Sequence, residues 1–165
     1  ASESNPCLRG QSWDWDGVRF ELLHPASVAA AGRVRSNNLS CVLRVATRHG
    51  AMLLTGDIER AAEGELLEAP HALAAQALLV PHHGSRTSST PEFVAAVAPR
   101  YAVVPAGYRN RFGHPRPEIL GRYTGIGAQI LRTDLDGAVT LRFAGGVVRA
   151  ETARGEQPRY WHPRR

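Results

Sequence analysis

Ala77-Leu78-Leu79-Val80-Pro81-His82-His83-Gly84-Ser85 is the stretch that decides how this chain is read. Five mostly apolar residues predict a buried strand, and two adjacent histidines stand where it breaks into a loop. Upstream, Ala51-Met52-Leu53-Leu54-Thr55-Gly56-Asp57 repeats the arrangement with a carboxylate at the break. The interval from Asp57 to His82 has room for a helix and a return strand. In an α/β sheet the carboxyl ends of parallel strands converge on one rim, where sites form. A carboxylate and imidazoles meeting there are ligands suited to Zn, Mn or Fe. The plainer alternative is an N-capping aspartate and two surface histidines.

Working outward, residues 39–47 and 51–55 read as strands joined by Arg48-His49-Gly50, a hairpin. Residues 1–16 read as a leader in which Trp13 and Trp15 share one face of an extended segment. A strand at 18–23 follows the Asp16-Gly17 turn, and 26–38 reads as a loop. Residues 58–69, rich in Ala, Glu and Leu, predict a helix, with Glu59, Glu63 and Glu65 near its positive end. Thr90-Pro91-Glu92 is a helix start that runs to about Ala98. Next come a buried strand at 101–106, a helix at 117–123 and a strand at 128–133. Asp134 to Gly137 reads as a turn, and 138–144 with 147–151 as a hairpin across Gly145-Gly146. Alternating strands and helices flanked by hairpins mean an α/β domain over 1–152, with a basic tail at 153–165 that is solvated and disordered.

The chain has 165 residues, 43% of them hydrophobic, which suffices for one domain or a large part of one. No apolar run approaches a membrane span, and the polar start at Ala1 shows no secretory signal. The start without Met suggests a piece of something longer. The net charge is +5, and all twenty basic residues are arginines. Arginine forks suit phosphate, although a GC-rich genome would produce the same bias. Cys7 and Cys41 lack zinc-site spacing; in an oxidising compartment they could pair and pin the leader to the sheet, and otherwise they are separate thiols.

Three strand ends supply the candidate chemistry: Asp57, then His82-His83-Gly84-Ser85, then Asn110 with Gly113-His114-Pro115. A metal held by carboxylate and imidazole lowers the pKa of a water and polarises a phosphoryl oxygen. A histidine not used as a ligand can donate to the leaving oxygen. Ser85 and Asn110 are neutral donors for a phosphate oxygen, while Arg86, Arg109, Arg111 and Arg116 lie near enough to bind it. A Ser85 nucleophile served by His83 and Asp57 is the competing arrangement, set aside because Ser85 does not sit in a G-x-S-x-G elbow. His24, His49, His71 and His162 read as structural or solvated, and Asp134 and Asp136 as turn residues.

Four motifs occur in order: Leu-Leu-Thr-Gly-Asp at 53–57, Val-Pro-His-His-Gly-Ser at 80–85, Asn-Arg-Phe-Gly-His-Pro at 110–115 and Arg-Thr-Asp-Leu-Asp-Gly at 132–137. With them the chain resembles the metallo-β-lactamase-like domain of ComEC-type competence proteins, the DNA internalisation channels of bacterial transformation. Trp13-Asp14-Trp15-Asp16-Gly17-Val18-Arg19-Phe20 and Asn38-Leu39-Ser40-Cys41-Val42-Leu43 look like the forms of proteobacterial members. The resemblance implies an αββα sandwich, of which this would be the C-terminal part. It implies a metal-dependent phosphodiesterase with a two-metal Mn or Zn site, acting on DNA and degrading the strand that is not imported. It also implies an extracytoplasmic, periplasmic domain of an inner-membrane protein, partnered by the channel portion of the same polypeptide. Asp57 matches the bridging aspartate and His82 the late metal histidine; His83 would be catalytic or would support the ligands, and His114 a further ligand or acid. A periplasmic setting favours the Cys7–Cys41 pair.

The chain departs from the pattern in lacking His-x-His-x-Asp-His, and Ser36-Asn37-Asn38 stands near the place of a third metal histidine. The expectation is therefore an incomplete site, inactive on its own. A truncated sandwich would also expose an apolar sheet face and self-associate. A non-catalytic DNA-binding module and a different hydrolase on the same scaffold are the rival readings.

Overall fold

The computed structural model describes residues 6–27, 36–68 and 73–157. Seven strands form one mixed sheet in sequence order: β1 (Ser12–Trp15), β2 (Val18–His24), β3 (Val42–Thr47), β4 (Gly50–Leu54), β5 (Ala77–Leu79), β6 (Tyr101–Val104) and β7 (Gln129–Arg132). The first four pair antiparallel and the last four parallel, with β4 belonging to both halves. The parallel half follows from its connections. Helices α1 (Arg60–Glu68), α2 (Pro91–Val97) and α3 (Pro117–Gly125) each bridge neighbouring strands. Crossovers of one hand place all three helices on the same face.

That face holds the main core. Ala62 and Leu66 of α1, Phe93, Val94 and Val97 of α2, and Ile119 and Tyr123 of α3 pack on Leu53, Leu78, Ala102 and Val104. The opposite face of β5 to β7 is covered by a hairpin, β8 (Val139–Ala144) and β9 (Val147–Thr152). Val148 is buried there among Ala77, Tyr101, Val103 and Leu131, with Leu141 and Phe143 alongside. The amide of Gly146 at the hairpin turn donates to His49 Nδ1, which ties the two hairpins together.

Several expectations change. The segment read as a leader contains strand β1, registered against β2 with Trp13 opposite Phe20 and their rings stacked at 5.1 Å. The first residues read as strand, around Leu39, belong instead to a 3-10 turn, Ser36–Leu39. Its buried Asn38 accepts from the amides of Glu59 and Ala62 and so caps α1. The turn read at Asp134 to Gly137 begins as a short helix, α4 (Thr133–Asp136). Both its aspartates are buried, Asp134 by bidentate pairing with Arg132 and Asp136 by accepting the Arg132 amide. The basic tail opens with a short helix, α5 (Ala153–Glu156), whose Arg154 donates to the carbonyls of Asp134 and Leu135. The rest of that tail, with His162, lies outside the described residues, as does His71.

Cys7 and Cys41 form a disulfide that fastens the chain before β1 to the start of β3. Strand alternation places Trp13, Trp15, Phe20, Leu22, Leu43 and Val45 on the same face as Met52. Trp13 and Trp15 remain 45% and 73% exposed there.

Candidate functional site

The carboxyl ends of β4, β5 and β6 deliver Asp57, the two histidines and the loop 105–116 to one rim. The chain between β5 and α2 begins with a tight turn, Pro81–Gly84, in which three successive residues have left-handed backbone: His82 (φ 48), His83 (φ 55) and Gly84 (φ 81). Side chains other than glycine adopt that region at a cost, so neighbouring contacts must hold them there. The His82 amide donates to Gly56 O at 3.1 Å, the Ser85 amide to His82 O at 2.9 Å, and the Arg116 amide to Gly84 O at 3.0 Å. Glycine is required at 84, because a Cβ there would stand 2.6 Å from Cβ of Pro115.

This backbone sends the two imidazoles to different partners. Nδ1 of His83 lies 2.8 Å from Pro105 O; donation to that carbonyl leaves Nε2 unprotonated in the neutral ring, 3.5 Å from Asp57 Oδ1. His82 turns the other way. Its Nδ1 is 3.2 Å from Thr87 Oγ1 and 3.5 Å from Glu59 Oε1, and the Thr87 hydroxyl donates to that same Glu59 oxygen at 2.9 Å. The imidazole brought to Asp57 is thus that of His83, while His82, favoured above as the metal histidine, faces Thr87 and Glu59. Thr87 and Glu59 were not singled out for the site. The only local signal was Glu59 two residues after Asp57, and it reads equally well as a charge at a helix start.

His114 completes the cluster, its ring 6.1 Å from that of His82 and nearly parallel to Phe112 at 6.2 Å. Burial, then the nearby Arg116 and the two other histidines, push its pKa below the usual histidine value. Its Nδ1 is buried and has no hydrogen-bond partner among the described residues. Asn110 clamps the loop around it: Nδ2 donates to His114 O at 2.6 Å, and Oδ1 accepts from the His114 amide at 3.1 Å. The side chain named as a phosphate donor therefore braces the loop. Ser85 is buried, and its hydroxyl faces Thr87 Oγ1 at 3.2 Å, an arrangement that does not link it to His83 as a nucleophile to its base.

Of the four arginines, Arg86 is paired with Glu118 at 2.6 Å, and Arg116 donates to Phe112 O. Arg109 and Arg111 lie over the rings of Tyr108 and Phe112. A cavity of about 190 Å³ opens beside His83, lined by Pro105, Ala106, Gly107, Asn110, Phe112 and His114.

Among the described residues no group of three or more His, Cys, Asp or Glu side chains is arranged to hold a metal. Asp57 and His83 offer two donors, and His82 is directed to Glu59 and Thr87. These residues by themselves do not fit a metal centre, since zinc sites take three or four protein ligands.

No family model matches the chain. It is 41% identical over 145 residues to Competence protein ComA of Neisseria gonorrhoeae, covering 87% of this chain and 20% of that protein. It is 35% identical over 159 residues to Uncharacterized protein YcaI of Escherichia coli, covering 95% and 21%. To ComE operon protein 3 of Bacillus subtilis it is 32% identical over 139 residues, covering 84% and 18%. The chain spans about a fifth of the length of these curated relatives. Among the described residues no helix is long and apolar enough to cross a membrane. The relatives named for competence and for the ComE operon support a competence-associated protein.

Proposed function

We propose that this chain is part of a DNA-processing domain in bacterial DNA uptake, a hydrolase of phosphodiester bonds that degrades the strand not imported. One observation carries the reading: Asp57 and His83 converge from adjacent parallel strands to 3.5 Å, beside a loop bearing Arg109 and Arg111. The names of the relatives support the setting in DNA uptake. The fold belongs with it, as the C-terminal half of a metallo-β-lactamase-like αββα sandwich; the apolar face of β1 to β4 favours a second layer. That face also favours self-association of the isolated chain, against which a compact monomer in concentrated sedimentation runs would count.

The chain's own groups suit proton handling. With Nδ1–H fixed on Pro105 O, His83 presents Nε2 to take a proton from a water held against Asp57. His114, its pKa lowered by burial and neighbouring positive groups, presents its imidazole to a phosphoryl oxygen, and Arg109 and Arg111 attract the polyanion. A resident divalent metal, Mn or Zn, would need donors beyond those described, and the membrane channel portion of a longer polypeptide would be the neighbouring partner. The Cys7–Cys41 disulfide supports an oxidising, periplasmic location on an inner-membrane protein.

The test is Asp57→Asn in the full polypeptide that carries this chain. Divalent-metal-dependent cleavage of DNA should be abolished while the melting curve is unchanged. Full cleavage by the variant would overturn the role. The second reading is a non-catalytic DNA-binding module, favoured by the net charge of +5 carried by arginines. Salt-dependent binding with no metal requirement and no cleavage would select it.

A further inference from the structure

Between β6 and α3, the loop presents two large aromatic side chains to solvent: Tyr108 is 62% and Phe112 61% exposed. Slack does not account for this. Besides the Asn110 clamp, the Asn110 amide donates to Gly107 O, and Arg116 Nη2 donates to Phe112 O at 3.1 Å. The loop is therefore built to hold these rings out, against the hydrophobic preference of each to be covered. Both carry a guanidinium, Arg109 Cζ 5.2 Å from the Tyr108 centroid and Arg111 Cζ 5.1 Å from that of Phe112. Neither arginine has an acidic partner among the described residues.

Phe112 also lines the cavity beside His83, together with Pro105, Ala106 and Gly107. That side is apolar and suits a flat heterocycle, while His83, Asn110 and His114 line the rest of the cavity. A phosphodiester also needs positive charge close by, and the two arginines over the rings provide it. Exposed aromatics interleaved with arginine are how unpaired bases are gripped: the rings stack and the cations follow the backbone. Within a duplex the faces of the bases are already stacked on their neighbours, so such a platform has nothing to hold.

We infer that Tyr108 and Phe112 are base-stacking, specificity-determining residues, which select an unpaired nucleotide of single-stranded DNA and set its phosphate toward Asp57 and His83. The last clause rests on the function proposed above; the stacking itself does not.

The experiment measures affinity, apart from cleavage, in the full polypeptide carrying this chain. Fluorescence anisotropy would compare three probes of about 12 nucleotides: a single strand, its blunt duplex, and an abasic strand of equal phosphate charge. The wild type should prefer the single strand to the abasic one by about ten-fold or more. Phe112→Ala should remove most of that preference, leave affinity for the abasic strand within about two-fold, and be rescued by Phe112→Trp. Tyr108→Ala should act in the same direction. Equal loss on normal and abasic strands would overturn the inference, as would no loss in either variant or a wild type that does not discriminate. Stacking with no cleavage by the wild type would sink the hydrolase reading and leave the platform standing. Cleavage without base preference would do the reverse.

Discussion

Replacing Glu63 should show how the site is suspended. This carboxylate lies on α1, is fully buried, and reaches across to the loop that carries the histidines. Oε1 accepts the Ser89 amide at 2.5 Å and Oε2 the Thr90 amide at 2.8 Å, just where α2 begins. Arg122 lies near enough to favour its charge, and donates to Ser89 O at 2.6 Å. In Glu63→Gln the amide oxygen can serve one of the two N–H groups, while the amide NH2 faces the other donor to donor. A buried donor left without a partner costs about 1–3 kcal/mol, and a loss of that size is expected. In a domain of this size that lowers Tm by about 2–12 °C. Burial raises the Glu63 pKa above its ordinary 4.5 despite both hydrogen bonds. The native state then holds the proton to higher pH than the unfolded chain does. Its contribution is full below 4.5 and is lost as pH rises through the raised folded value. Glutamine has no proton to lose, so the stability gap should be widest in acid and narrow upward from 4.5. Thermal melts of both proteins, followed by circular dichroism across that range, decide it. A gap that stays constant with pH, or a variant as stable as wild type in acid, would refute the reasoning.

Two further perturbations test the frame of the site. The Cys7–Cys41 bond closes a loop of sequence separation 34. A chain-entropy estimate gives it about 4 kcal/mol, so Cys7→Ser or a reductant should lower Tm by about 8–15 °C; a melt insensitive to reductant would contradict this. Gly84→Ala would place a methyl 2.6 Å from Cβ and 3.1 Å from Cα of Pro115, on a left-handed backbone, and should cost about 2–4 kcal/mol and cleavage as well. Gly64→Ala on α1, where an added Cβ meets nothing within 4 Å, should instead stabilise by up to about 1 kcal/mol. Similar melts for the two alanine variants would disprove the assigned crowding.

What could be read in advance was local. Strands β4, β5 and β6 were legible because each is a short apolar run stopped by Gly or Pro, and their ends named Asp57, His82 and His83 together. Strand β1 was missed although its Asp16-Gly17 turn was recognised. Ser12-Trp13-Asp14-Trp15 makes a strand only once β2 supplies the partner. The same limit hid Glu63: its place near a helix start suggested a surface charge on the dipole, and only the packing of α1 against the chain before α2 shows it buried. Asn38 was passed over in a stretch judged by the histidine it lacks, while its amide oxygen caps a helix 21 residues on.

The histidine pair shows why a dipeptide could be located in the sequence but not assigned. In an extended strand, neighbours point to opposite faces by rule, and one of the two would have faced the core. Here neither does, because both adopt left-handed backbone, a state of order 1–3 kcal/mol above the ordinary ones for each residue. That state persists because the chain after β4, through Gly56 O, and the start of α3, through the Arg116 amide, hold the turn from both sides. The outcome is a division of labour between adjacent residues. His82 is bound into a hydroxyl–carboxylate chain rooted on the α1 side, and His83 is oriented by a carbonyl after β6 toward the aspartate after β4. The two imidazoles thus answer to different layers of the fold, and a change in α1 packing should reach His82 before it reaches His83.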